Sequence, residues 1–287
     1  MRLLPFIWES FRMKVLNRKH ALFFLVILVV AWRYSEPVLR LSRDVNYPVS
    51  PCLFPFLMCS YSFLAQFWFG VVYVGSDAPF MQHVNMFQVI RTGRRVWAVG
   101  QIVGIILRSF VITAETAFCA MVPVLFRLDL SAGWGKLLHT VAMKPEMGTQ
   151  YGFNYAIFYD ALTRFSPLEL MLLCILITSL VVSFVGVLMF TVGLYAGRTL
   201  ALAVATGLTL SLFLVLNLPP MLRQGLAYFI PTIWPEIARI GSKSIGRYML
   251  PGIPYMLLFL AVGIAVMSVL ILWKVRTVEF SWEDEDI

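Results

Sequence analysis

Residues 76–103 read SDAPFMQHVNMFQVIRTGRRVWAVGQIV, and the place of this stretch between two apolar runs decides how the chain is folded. The 32 positions before Asp77, residues 45–76, carry no charge, and residues 96–126 are apolar apart from Arg108 and Glu115. A bilayer core of about 30 Å is crossed by about 20 apolar helical residues, so a proline, a row of amides, a histidine and a knot of arginines here mark a connection between two membrane spans. The same length test succeeds elsewhere, because residues 170–197, 199–222 and 248–273 are also uncharged. The 287 residues are 60% hydrophobic and 13% charged, with a mean hydropathy of +0.82, about half the charge of an ordinary soluble domain.

The expected fold is an all-α integral membrane protein with six transmembrane helices, over about residues 20–41, 51–75, 96–126, 168–196, 199–217 and 250–273. The first of these is short. Its apolar core, HALFFLVILVVAW, spans only if the flanking Lys19 and Arg33 snorkel or if the helix continues through residues 33–41. Ahead of it, Leu4, Ile7, Trp8, Phe11 and Val15 recur every three to four positions while Arg2, Glu9, Arg12 and Lys19 fall mostly elsewhere, which predicts a basic amphipathic helix over residues 1–19 lying in the membrane interface. The first apolar run lacks a small-residue cleavage site, so no signal peptide is expected to be removed. Residues 217–254 are too apolar for a plain loop and too broken by Pro219, Pro220, Pro231, Pro235, Pro251 and Pro254 for one span. Short helices at the outer interface, re-entrant if protein or water covers them, are the reading, with an interfacial loop as the alternative. Gly193 and Gly197 are read as turn-makers between spans four and five.

Lysines and arginines outside the spans divide evenly between the two sides. Their density breaks the tie: Arg2, Arg12, Lys14, Arg18 and Lys19 precede the first span and Arg91, Arg94 and Arg95 cluster before the third. Both termini are therefore expected on the cytoplasmic side of the plasma membrane, including the acidic tail 274–287. The net charge of +8 is spread around the spans, which suits membrane flanks and argues against nucleic acid as a partner.

Catalytic patterns are absent: the chain holds no GxxxxGK[ST], HExxH or GxSxG, and His20, His83 and His139 are far apart in sequence. Cys52, Cys59, Cys119 and Cys174 stand singly in or beside apolar runs, so packing is their expected role, with no disulfide and no metal site. Within the third span, Gln101, Arg108 and Glu115 recur every seven residues, with Ser109 and Thr116 beside them, and make one polar stripe. A charge at that depth costs about 2.5–3.5 kcal/mol, so the stripe must face protein or water, as a translocation path, a dimer seam or a buried clamp. In the opening stretch, Pro79 can start a short helix with Phe80, Val84 and Phe87 on one face and Gln82, His83, Asn85 and Gln88 elsewhere. Such a helix, followed by Arg91, Arg94 and Arg95 at headgroup level, suits a groove in a soluble partner.

The order of parts, an interfacial helix over 1–19, a short helix over 79–90 leading into RTGRRVWAVGQIV and a broken segment before the last span, resembles the permease subunits of ABC-2 type exporters. The resemblance implies that residues 79–90 are the coupling helix, with Pro79, Phe80, Gln82, His83, Val84 and Phe87 against a cytoplasmic ATP-binding-cassette ATPase. It also implies a second permease copy or a paralogue, no enzymatic activity or cofactor in this chain, and ATP with Mg held by the partner. The outer loop around residues 140–165 is longer than a minimal member of that family would need. The cargo expected from the aromatic- and methionine-rich spans is amphiphilic or peptide-like. The competing reading is an ATP-independent secondary transporter or channel using Arg108 and Glu115, for which no inverted repeat is evident.

Overall fold

The computed structural model describes residues 3–76, 89–90, 92–129, 133–241 and 248–277. Pro79, Phe80, Gln82, His83, Val84, Phe87 and Arg91, and the acidic end of the chain, lie outside the described residues. Among the described residues the fold is all-helical, without strands, and five helices are long and apolar enough to cross a membrane.

Helix α1, Leu3–Val15, is followed after Leu16 and Asn17 by α2, Arg18–Val45. Of the two ways to lengthen the first span, the helix takes continuation. Arg33, Glu36 and Arg40 sit three and four positions apart and pair at 3.1 and 2.5 Å on an exposed face, while Ala31, Tyr34, Val38 and Leu41 bury the other. Pro37 is carried inside this helix, which ends where Asn46 turns left-handed at φ 53°.

The expected second span differs from its sequence reading. It is split into α3, Phe54–Met58, opened by Pro55, and α4, Tyr61–Gly75, with a break at Cys59–Ser60. Fifteen residues rise about 22 Å, short of a bilayer core. The irregular backbone here is tolerated because Leu53, Phe54, Phe56, Leu57 and Met58 are wholly buried in protein.

Helix α5, Arg94–Met121, runs on into a 3₁₀ turn, Val122–Arg127, and is the central rod. Ser109, Thr113 and Thr116 return their hydroxyls to the carbonyls of Ile105, Ser109 and Ile112, so these small polar groups are satisfied within the helix. Three short helices follow, α6 (Gly135–Met143), α7 (Pro145–Tyr151) and α8 (Tyr159–Arg164). A Ser166–Glu169 capping box with Pro167 in the first turn then starts α9, Pro167–Ala196. Gly197, at φ 86°, ends α9 and begins α10, Arg198–Asn217, and so makes the turn as expected, whereas Gly193 is a residue of the last turn of α9 and not of the connection.

The described part of residues 217–254 consists of short helices and turns: α11, Pro220–Ala227, then 3₁₀ turns at Pro231–Ile233 and Ile237–Arg239, before α12, Ile253–Lys274. The run 231–239 is buried throughout. Trp68 of α4 donates to the Thr232 carbonyl at 2.9 Å, the Thr232 hydroxyl donates to the Leu208 carbonyl of α10 at 3.0 Å, and the Cys174 thiol of α9 faces the Pro235 carbonyl at 3.7 Å.

Cross-links fix the two ends of the bundle. Arg94 donates to the carbonyl of Arg276 at 3.2 Å and Tyr195 to that of Leu270 at 3.4 Å, so the start of α5 and the ends of α9 and α12 meet. At the opposite end Arg127 donates to the Ser42 carbonyl at 2.9 Å, and Val49 exchanges backbone hydrogen bonds with Arg127 and Asp129. The large core fills the middle and the Ser42 end. A smaller cluster, containing Phe6, Trp97, Ile102, Phe190, Met267 and Ile271, fills the Arg94 end.

Candidate functional site

The polar stripe of α5 exists as a row of ties, each to a different helix. The Lys14 ammonium of α1 donates to Gln101 Oε1 at 2.5 Å, the Arg108 guanidinium donates to the Val74 carbonyl at the end of α4, and His20 Nε2 of α2 lies 2.8 Å from Glu115 Oε2. Seven residues are about two turns, so successive members point the same way about 10 Å apart. Arg108 and Glu115 are too distant for each other and meet other elements of the same chain instead. Gln101 and Arg108 are buried, and His20 is buried opposite a partly exposed Glu115.

Two members of this set converge on one cleft. Lys14 and Arg108, with Ser109 and the glycines Gly75, Gly104 and Gly186, line a cavity of about 30 Å³ between α1, α4, α5 and α9. The open space lies beside Gly104, where a Cβ would meet nothing within 4 Å, whereas a Cβ on Gly186 would overlap the Ile105 side chain and so marks close packing of α9 on α5. Its walls are mostly apolar, from Val71, Ile105, Ile112, Val182, Val185 and Met189, with Lys14, Arg108 and Ser109 as the polar lining, and a cavity of this size has room for a water or two and is too small for an organic ligand as it stands. Glu115 does not line it.

Arg94 and Arg95 are exposed at the first turn of α5, at the end of the bundle where α12 finishes. α1 packs next to them. A Cβ on Gly100 would overlap the Phe6 ring, so only glycine lets α1 approach α5 this closely. Phe6, Ile7 and Ser10 are buried, whereas Trp8 faces outward, apart from the Ile7 side with which the spacing had grouped it.

A second polar set did not figure in the sequence reading. In the buried run 231–239, Glu236 and Arg239 pair at 2.9 Å with side chains 0% and 1% exposed. Tyr248 donates to Glu236 Oε1 at 3.2 Å, the Arg239 guanidinium stacks 4.2 Å from the Tyr248 ring centre, and Arg239 also donates to the Tyr61 hydroxyl at the start of α4 at 3.4 Å. Burial opposes the Arg239 charge, but Glu236 and the neighbouring tyrosines outweigh it and hold the guanidinium above its ordinary range. Burial, reinforced by the Glu236 carboxylate, pushes the Tyr248 phenol well up. The signal was present as opposite charges three residues apart inside the apolar string IWPEIARI.

Among the described residues no group of three or more His, Cys, Asp or Glu side chains could hold a metal ion, and all four cysteines are buried with none in a disulfide. No protein-family model, no curated protein and no solved structure matches the chain.

Proposed function

We propose that this chain is the membrane-spanning permease subunit of an ATP-driven exporter of the ABC-2 type, working with a separate ATPase and with a second permease copy or a paralogue. The observation that carries the reading is a convergence at one end of the bundle. The start of α5, the end of α12 and the packing of α1 on Gly100 gather at one end of the bundle, and Gly75 at the end of α4 lines the same cleft as Lys14 of α1 and Gly104 of α5. A helix carrying Phe80, Val84 and Phe87 would there stand between the membrane spans and a cytoplasmic motor, with Arg91, Arg94 and Arg95 at its foot.

In this reading the chain crosses the plasma membrane six times, through α2, α3 with α4, α5, α9, α10 and α12, with both termini in the cytoplasm. The ties at Gln101, Arg108 and Glu115 bind α1, α4 and α2 to α5, so a push on the 77–88 segment tilts these elements together. ATP and Mg are held by the partner, because the chain contains no phosphate-cradling loop. The cargo is amphiphilic or peptide-like and moves outward along a wall that these helices form with the second subunit.

Purification from native membranes under mild detergent tests the assignment. A polypeptide with a Walker A loop should co-purify in stoichiometric amount. Ion or proton flux through the chain reconstituted by itself would instead install the secondary-transporter reading, with Arg108 and Glu115 as its ion site.

A further inference from the structure

Among the described residues, nothing covers the outward face of α1. Trp8, Arg12 and Leu16 fall four residues apart on one face, Trp8 and Leu16 are 66% and 73% exposed, and Met13 of α1 and Arg18, the first residue of α2, are also exposed. The opposite face is spoken for by Phe6 against Gly100 and by Lys14 against Gln101. Only Leu16 and Asn17 separate α1 from the apolar α2, so α1 is tethered at a membrane boundary. An indole and two long apolar side chains interleaved with arginines, held at that level, match the boundary between phospholipid headgroups and acyl chains. Positive charge there selects lipid of negative charge.

We propose that this face is a binding surface for anionic phospholipid. Trp8, Met13 and Leu16 enter the acyl boundary, and Arg12 and Arg18 take the headgroup phosphates. The exposed Glu9 on the same helix offsets part of the attraction, so the two arginines decide the preference. Bound lipid holds α1 against α5 through contacts already made by Phe6 and Lys14. The proposal needs α1 at a membrane boundary and not the ATPase partner, so it can fail while the exporter reading stands, and the reverse.

The test is amide hydrogen exchange on the full chain in nanodiscs of phosphatidylcholine, with or without phosphatidylglycerol and with no nucleotide or partner present. Phosphatidylglycerol should slow exchange across residues 5–16 at low salt, each arginine contributing about a fivefold preference for the charged lipid. High salt should reverse the slowing, and Arg12→Gln with Arg18→Gln should abolish it while exchange in α5 stays unchanged. Equal exchange in the two lipid mixtures, or a phosphatidylglycerol effect that survives in the double variant, would overturn the proposal. The first of those results would also leave a protein partner as the occupant of this face.

Discussion

The α5 stripe and the Glu236–Arg239 set both place charge inside an apolar protein, and they do so in opposite ways. Along α5 the polar side chains are spaced two turns apart and each holds one helix, through Lys14, Val74 or His20. Around residue 236 the charges are three residues apart, wholly buried, and hold a single non-helical run against Tyr61 and Tyr248. The first arrangement distributes single contacts over three separate elements. The second concentrates desolvated charge at one point, where the loss of one partner leaves the other stranded.

The contrast fixes the order of expected effects. Arg239→Met strands the Glu236 carboxylate and should cost about 3–5 kcal/mol, read as a lowered unfolding midpoint in detergent, while Glu236→Leu added to it should recover most of the loss. Recovery would show that the pair's cost lies in its unpaired half; no recovery would mean that the charges themselves position the run. Gly100→Leu drives a side chain into the Phe6 ring and should cost about 1–3 kcal/mol, partly relieved by Phe6→Ala. The His20–Glu115 tie should be weaker. A double-mutant cycle with His20→Leu and Glu115→Leu should give a coupling of about 0.6–1.7 kcal/mol, the range of hydrogen bonds between membrane helices. A coupling as large as the Arg239 effect would erase the distinction between the two sets.

The smallest effect is a pH dependence. Because the Tyr248 phenol is raised in the folded protein, its contribution to stability is complete below the unfolded tyrosine value of about 10 and is lost as pH climbs above it. Tyr248→Phe should therefore flatten part of the alkaline decline seen in the parent. An unchanged alkaline limb would place Tyr248 outside the buried network.

Much of this architecture was legible because a bilayer imposes a simple length rule. Long apolar runs located α2, α5, α9, α10 and α12, and the seven-residue period of Gln101, Arg108 and Glu115 showed that they share a face. The period did not name their partners, since Lys14, Val74 and His20 lie 34 to 95 residues away in sequence and are brought in only by packing. The break between α3 and α4 was hidden because residues 51–75 carry no charge, and hydropathy does not distinguish burial in protein from burial in lipid. The prolines of 217–254 announced broken helices. That Glu236 and Arg239 are the most deeply buried charges among the described residues followed from Trp68, Leu208 and Cys174 closing over the run, which no local pattern contains.

The measurement that tests the central proposal most directly is ATP hydrolysis by the chain purified together with its associated ATPase, compared with a variant carrying Phe80→Asp, Val84→Asp and Phe87→Asp. The expected result is a complex that still assembles its membrane part, with unchanged unfolding of that part, but loses stimulated hydrolysis. Hydrolysis stimulated to the parental level in the triple variant, or complete turnover by this chain with no nucleotide-hydrolysing companion, would contradict it.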